Sequence, residues 1–362
     1  ALITIAGAFL GSHNIYREEI KEALARANIE LLLPIFGFVI IAQTVSMIDS
    51  MSIFWLLQLG TAAVIGIGLI LGFLLISIVK PDTSIKYTTV ALVAFGNLGN
   101  LPILLLQGAC SHYGPLKGYQ ECPVMPGYSM TSTITFSILL WSIAYALVIK
   151  DAHAALRAKA EHYFIASDDK ASLMSETFDK PVELPKLSLN LILKNTLLQP
   201  TPASRIFGAL FGLIPGIALL MFEDNSPLKF VTNNTLVVGF IGMVFIQQVL
   251  GVNIREQYAN YKPVQLSLVL GIAACKLVLT PLIAQYFIHL AYNADWITYG
   301  VAYVCMILAA SPPGVSTLIL SQLLNVGVEF SNIVFLFLYP ISFVTIPLNS
   351  YLFLALNSPP SD

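Results

Sequence analysis

"FGNLGNLPILLLQG", residues 95–108, interrupts an apolar stretch that otherwise reads as a membrane-spanning helix. Two glycines, two asparagines and a proline fall within residues 96–102. Non-helical backbone at membrane depth survives only where protein or a water-filled cavity covers it. Pro102 has no N–H to donate and clashes with the preceding turn, so regular helix is expected to fail around 98–102. Gly96 and Gly99 let the chain bend and let another segment come close. Asn97 and Asn100 can cap the freed backbone groups or face a ligand.

The whole chain fits that environment. Hydrophobic residues make up 57% of 362, charged residues 10%, and the mean hydropathy is +0.79; a soluble domain carries about 25% charged residues. Runs such as 54–79 exceed the roughly 20 apolar residues that cross a bilayer. The chain reads as an all-α polytopic membrane protein. The net charge of −2 says nothing about partners, and no basic run points to nucleic acid. The opening "ALITIAGAFLG" lacks signal-peptide flanks and is expected to lie inside a first transmembrane helix.

Apolar runs place ten spans near 1–11, 29–47, 54–79, 87–110, 127–149, 204–222, 235–252, 264–290, 297–325 and 331–356. The organisation expected is a first five-helix repeat (1–149), a polar cytosolic linker (150–203) and a second five-helix repeat (204–362). Lys and Arg number fifteen on one set of alternate loops and two on the other, with Lys276 inside a span. The positive-inside rule makes the insert cytosolic and both termini lumenal or extracellular. Cys110 and Cys122 then fall on the non-cytosolic side, where a disulfide can persist; a disulfide and two free thiols both fit. Cys275 and Cys305 read as ordinary buried residues.

Five spans on each side of the insert suggest a repeat. "GAFLG" (7–11) is matched by "GALFG" (208–212), and "NLGNLP" has a counterpart in "SPPG" (311–314). An odd number of spans per repeat places the second half upside down, a plan used by secondary transporters with interrupted helices. Pro312 and Pro313 break the ninth span, Gly314 permits the turn, and Ser311, Ser316 and Thr317 supply hydroxyls. If the two breaks cross, half-helix N-termini aim their partial positive ends at one point, a site for an anion.

Lys276, in the middle of the eighth span, is costly there. It reads as a snorkelling side chain or as a counter-charge for an acidic substrate or a helix C-terminus. No Asp or Glu lies centrally in any span, which favours facilitated transport of an anion over ion-coupled transport. Gln43, Thr44, Gln247, Gln248 and Gln322 line a cavity or bond between helices. The hydroxyl-rich 129–137 reads as close helix packing.

"FGNLGNLPILLLQGAC" (95–110), "SPLKFVTNNTLVVGFIGMVFIQQVLGVNI" (226–254) and "SPPGVSTLILSQLLNV" (311–326) resemble, in order, segments of the auxin efflux carrier family, closest to its PIN-LIKES branch. The resemblance implies ten helices in two inverted repeats with crossed, broken helices four and nine. That fold is shared with bile-acid symporters and sodium–proton antiporter-like carriers. It also implies export of auxin-like organic anions by an elevator-type motion, an endoplasmic reticulum or plasma membrane location, and a possible homodimer. The family's crossover asparagine maps to Asn97 and its ninth-helix prolines to Pro312 and Pro313. "SPPG" and the bulky pair Gln247-Gln248 depart from the family's usual residues.

No nucleophile–base constellation, metal-ligand spacing or phosphate loop points to an enzyme or a cofactor. The expected ligand is an auxin-like aromatic carboxylate in a lipid bilayer. Asn97, Asn100, Pro102, Pro312, Pro313, Gly314, Ser316, Gln247 and Lys276 are the candidate substrate-binding residues. Two other readings use the same pocket: a sodium- or proton-coupled symporter, and a membrane sensor that binds a ligand without moving it.

Overall fold

The computed structural model describes residues 6–7, 9–11, 18–48, 50–112, 116, 119–167, 194, 197–223, 225–259 and 265–357. Its elements are helical. A short polar helix α1 (Glu18–Ala27) runs through a π-turn into α2 (Leu33–Met47). The long apolar α3 (Met51–Val79) starts on Ser50, whose hydroxyl accepts from the Ser52 N–H, and stops at Lys80 in the left-handed region. Two short helices follow, α4 (Lys86–Ala94) and α5 (Asn100–His112). Then come α6 (Met125–Leu139) and, beyond a π-turn, α7 (Tyr145–Ser167).

The second half begins with α8 (Pro200–Gly212) and α9 (Pro215–Met221), followed by α10 (Lys229–Ala259). Next are α11 (Leu266–Ala273), a π-turn at Ala274–Leu279 and α12 (Thr280–Asn293). Two short helices again follow, α13 (Tyr299–Ala310) and α14 (Val315–Leu323). The last helix, α15 (Val328–Leu356), holds Pro340 and Pro347 in its interior.

Among the described residues, six helices are long and apolar enough to cross a membrane, and the bent pair α8–α9 makes a seventh. The fourth and ninth expected spans are present as half-helices, each too short to cross alone. The first span, 1–11, lies largely outside the described residues. Two details differ from expectation. The sixth span bends by 94° between α8 and α9, because Pro215 cannot continue the preceding ladder. Helix α7 continues to Ser167, so the segment expected to be linker from 150 begins as helix.

The centre of the molecule is the half-helices, not the long ones. Every residue of α13 is buried, as is Thr88–Ala94 of α4. A helix apolar all round belongs in a core, and here the long helices form its shell. Helix α3 packs on α4 through Gly68 and Gly72, where an added Cβ would meet the backbone of Ala94 and Val90. Two more small-residue seams join the halves of the chain. Gly7 and Gly11 abut Gln248 and Val252 of α10, while Gly208 and Gly212 of α8 abut Phe38 and Ala42 of α2. Such four-residue glycine spacing lets helix backbones touch in a bilayer.

Cys110 and Cys122 are joined in a disulfide, tying the end of α5 to the turn before α6. Cys275 and Cys305 are free and buried.

Candidate functional site: two broken helices that pair

The breaks between α4 and α5 and between α13 and α14 pair with each other. Gly96 and Pro313 form an antiparallel bridge. The Asn97 N–H donates to the Pro312 carbonyl at 2.7 Å, and the Gly314 N–H donates to the Phe95 carbonyl at 2.9 Å. Each break thus satisfies backbone groups that the other exposes, which is how irregular backbone is tolerated at this depth. Gly314 is required for the approach: an added Cβ would lie 2.7 Å from the Gly96 carbonyl oxygen. Pro102 is not in the break. Regular helix resumes at Asn100, so Pro102 sits buried in the first turn of α5, where a missing N–H costs little.

Tyr339 of α15 locks the pairing from the side. Its hydroxyl accepts from Asn97 Nδ2 at 3.1 Å and donates to the Pro313 carbonyl at 3.2 Å. The Ser311 and Thr317 hydroxyls return to the Ile307 and Gly314 carbonyls, so they close their own helices. The side chain of Asn100 lies outside the described residues.

A narrow cleft of about 70 Å³ opens against one side of the crossing. Asn97 and Gly99 line it at the start of α5, and Gly314, Val315 and Ser316 at the start of α14. These are two helix N-termini, whose leading N–H groups have no intrahelical acceptor and carry partial positive charge. Thr133, Phe136, Ser137 and Trp141 form the facing wall.

Arg205 of α8 completes that wall and was not among the residues expected there. Loop counting groups it with the cations of the insert, yet it is only 7% exposed. Its Nη1 donates to the Thr133 carbonyl at 3.1 Å and to the Ser137 hydroxyl, while its Nε has no partner among the described residues. The hydroxyl-rich stretch therefore does more than pack. Ser129 donates to the Leu98 carbonyl beside the break, and Thr133 and Ser137 aim the arginine. The Arg205 stem runs beside Gly37 of α2, where an added Cβ would stand 3.4 Å from its Cγ in ordinary contact.

Lys276 and Gln247 are not on this cleft. The fully buried Lys276 side chain extends from the π-turn to the crossing, and it has no hydrogen-bond acceptor among the described residues. A Cβ on Gly96 would stand 2.9 Å from the Lys276 side-chain nitrogen and 3.3 Å from the Ser311 carbonyl oxygen. The amine thus lies near the C-terminal ends of α4 and α13, where partial negative charge gathers. Gln247 lines a separate cavity with Leu101, Leu105 and Tyr339, and its neighbour Ile246 faces the cleft instead. Gln43 and Thr44 line another cavity near the disulfide, and Gln322 is exposed.

Helix α4 is charge-matched at its other end too. Asp151 of α7 is fully buried and accepts from the Tyr87 N–H at 3.0 Å, the Thr88 N–H at 2.6 Å and the Thr88 hydroxyl at 2.8 Å. A carboxylate at a helix N-terminus satisfies orphan donors and favours the dipole. Both ends of α4 are therefore held by side chains from other elements.

The pattern of the family described as "Membrane transport protein" matches residues 1–350. The chain is similar to Protein PIN-LIKES 7 of Arabidopsis thaliana, 24% identical over 99% of this chain and 95% of the relative. Protein PIN-LIKES 5 of the same plant is 24% identical over 98% and 95%. PIN-LIKES 3 is 22% identical over 82% and 80%.

Proposed function

The chain belongs to the membrane transport protein family, that of the auxin efflux carriers of PIN and PIN-LIKES type, and from that premise we propose a facilitative carrier for amphipathic organic anions. It is a multi-pass membrane protein whose family transports small molecules rather than catalysing a reaction. One observation carries the choice of an anion: two helix N-termini and the buried Arg205 guanidinium converge on one cleft. A carboxylate there meets oriented N–H groups and a fixed positive charge in a low-dielectric wall. Phe136 and Trp141 beside them suit an aromatic or amphipathic body, an auxin-like carboxylate among them.

The Lys276 side chain fills the space at two helix C-termini, the ends that would otherwise attract sodium, which supports transport without a sodium ion.

The architecture we propose is ten spans in two inverted five-helix repeats joined by the insert. The paired breaks of corresponding helices support it. So do the reciprocal seams, in which "GAFLG" packs on the second half and "GALFG" on the first. Elevator-type motion of the crossing against the α2, α8 and α10 wall, an endoplasmic reticulum location with a cytosolic insert, and a homodimer belong to the same reading.

The test is flux of labelled aromatic and aliphatic carboxylates into liposomes holding the purified protein, with and without sodium and proton gradients. Flux of an aromatic carboxylate with neither gradient, abolished by Asn97→Ala, is the expected result. Flux that requires sodium or protons would replace the facilitative reading with a coupled one. Saturable binding with no flux of any anion would leave a sensor.

A further inference from the structure

A second cavity, of about 600 Å³, is lined in part by the Cys110–Cys122 disulfide. It is built on the same helices as the cleft. Helix α2 gives Leu33 to the cleft and Ile40 to the second cavity; α6 gives Thr133 and Gly127; α10 gives Ile246 and Phe240; α5 gives Gly99 and Gln107. On each of the four helices the residue in between belongs to one buried apolar cluster: Phe36, Met130, Met243 and Ile103, none more than 2% exposed.

We propose that this second cavity is the other vestibule of the path served by the cleft. The layer of Phe36, Ile103, Met130 and Met243 is the gate that separates them. The proposal rests on the anion-carrier reading above for what passes through.

The layer is thin. From Gly127 to Thr133 on α6 is about 9 Å at 1.5 Å per residue. It is also closed to a charged solute. The hydroxyls of Ser129, Thr131 and Ser132 in that stretch donate to the Leu98, Gly127 and Tyr128 carbonyls, which leaves apolar surface across the path. An anion crossing it would lose its hydration with nothing in return. Two of its four side chains are methionines, which repack with little strain. Phe36 is seated against Gly239, where an added Cβ would collide with its ring.

The gate and the residue that would hold the anion border the same glycine. A Cβ on Gly37 would stand 3.4 Å from Arg205 Cγ and 3.5 Å from Met130 Cε. The carbonyl that accepts from Arg205, on Thr133, is one turn from Met130.

The test is cysteine accessibility in sealed vesicles of uniform orientation. The background carries Cys275→Ala and Cys305→Ala, with the disulfide left in place. Single cysteines are placed by Thr44→Cys in the vestibule, Ser316→Cys in the cleft, and Met130→Cys or Met243→Cys in the gate. The probe is a membrane-impermeant thiol reagent added to one face at a time. We expect Thr44→Cys and Ser316→Cys to react from opposite faces, and both gate cysteines to react at least tenfold more slowly from either. Reaction of both cavities from the same face, or a gate cysteine as fast as Thr44→Cys, overturns the proposal. Labelling needs no substrate, so it fails or succeeds independently of the flux experiment. Using two gate positions guards against one variant that does not fold.

Discussion

The guanidinium of Arg205 reaches from α8 to the Thr133 carbonyl on α6, 3.1 Å away, and so fixes a buried positive charge beside two helix N-termini. The two anchors leave its Nε buried without a partner among the described residues. A guanidinium anchored through one nitrogen keeps further donors, and its planar fork suits a carboxylate.

Removing that charge should therefore weaken anion binding more than folding. Arg205→Gln is expected to lower affinity for an aromatic carboxylate by about tenfold to a hundredfold, the range of a charge-assisted hydrogen bond. Arg205→Lys should recover only part of it, because a point charge cannot bridge both anchors and the ligand. Binding measured by scintillation proximity, alongside thermal unfolding, separates the two effects. Equal affinity in all three proteins would remove Arg205 from the site.

Tyr339→Phe deletes one oxygen and leaves the Asn97 amide and the Pro313 carbonyl buried without it. The expected cost is about 1–3 kcal/mol of stability, read as a lowered midpoint of thermal unfolding in detergent. Transport should fall with it, because Asn97 loses the partner that orients it. An unchanged midpoint would mean that Tyr339 does not hold the crossing.

Asp151→Asn tests the far end of the same half-helix. The amide retains one acceptor where the carboxylate offers two, so at least one of the three donors on Tyr87 and Thr88 is left bare. A loss of about 1.5–3 kcal/mol is expected, with faster hydrogen exchange at the start of α4. Asp151→Glu should be no better, since the longer side chain does not fit a fully buried position.

In the turn between α3 and α4, the Ser84 N–H bonded to Asp82 holds that carboxyl below its ordinary value of 3.8, with the Ser84 and Thr83 hydroxyls assisting against a small burial penalty. The folded-state value is the lower one, so the turn's stabilisation is fully present above the ordinary value. It is lost as pH falls through the depressed one. Asp82→Ala should lower the unfolding midpoint slightly near neutral pH and not at all in strong acid. A difference that persists in acid would mean that the carboxylate is not its source.

How much of this was legible beforehand divides by kind of force. That the chain breaks near 96–102 and at 311–314 was readable because Gly and Pro act through the local backbone, but the first break lies at 95–99, ahead of Pro102. Their pairing was suggested by nothing more than matching positions. Lys276 was recognised as anomalous from its apolar surroundings, but its placement on the C-terminal side of the crossing depends on a π-turn that periodicity does not reveal. Arg205 and Asp151 went unread for one reason: both stand where an apolar run meets a polar segment, and a charge there ordinarily faces water. Burial of each is decided by partners distant in sequence, Thr133 and Ser137 for one, Tyr87 and Thr88 for the other. The segments "GAFLG" and "GALFG" were read as a repeat and not as packing seams, because whether such glycines face lipid, a second copy or the other half of the chain is a tertiary matter.

The frame of the crossing is made from peptide groups: Asn97 to Pro312, Gly314 to Phe95, Gly96 to Pro313. Peptide groups are common to every residue, so the frame is indifferent to most exchanges among the side chains that surround it. Phe136, Ser137, Trp141 and Ser316 can be traded for others while the backbone they flank keeps its course. A protein built this way can drift in what it accepts without relearning how to fold, and its repertoire of solutes is open to change one wall residue at a time.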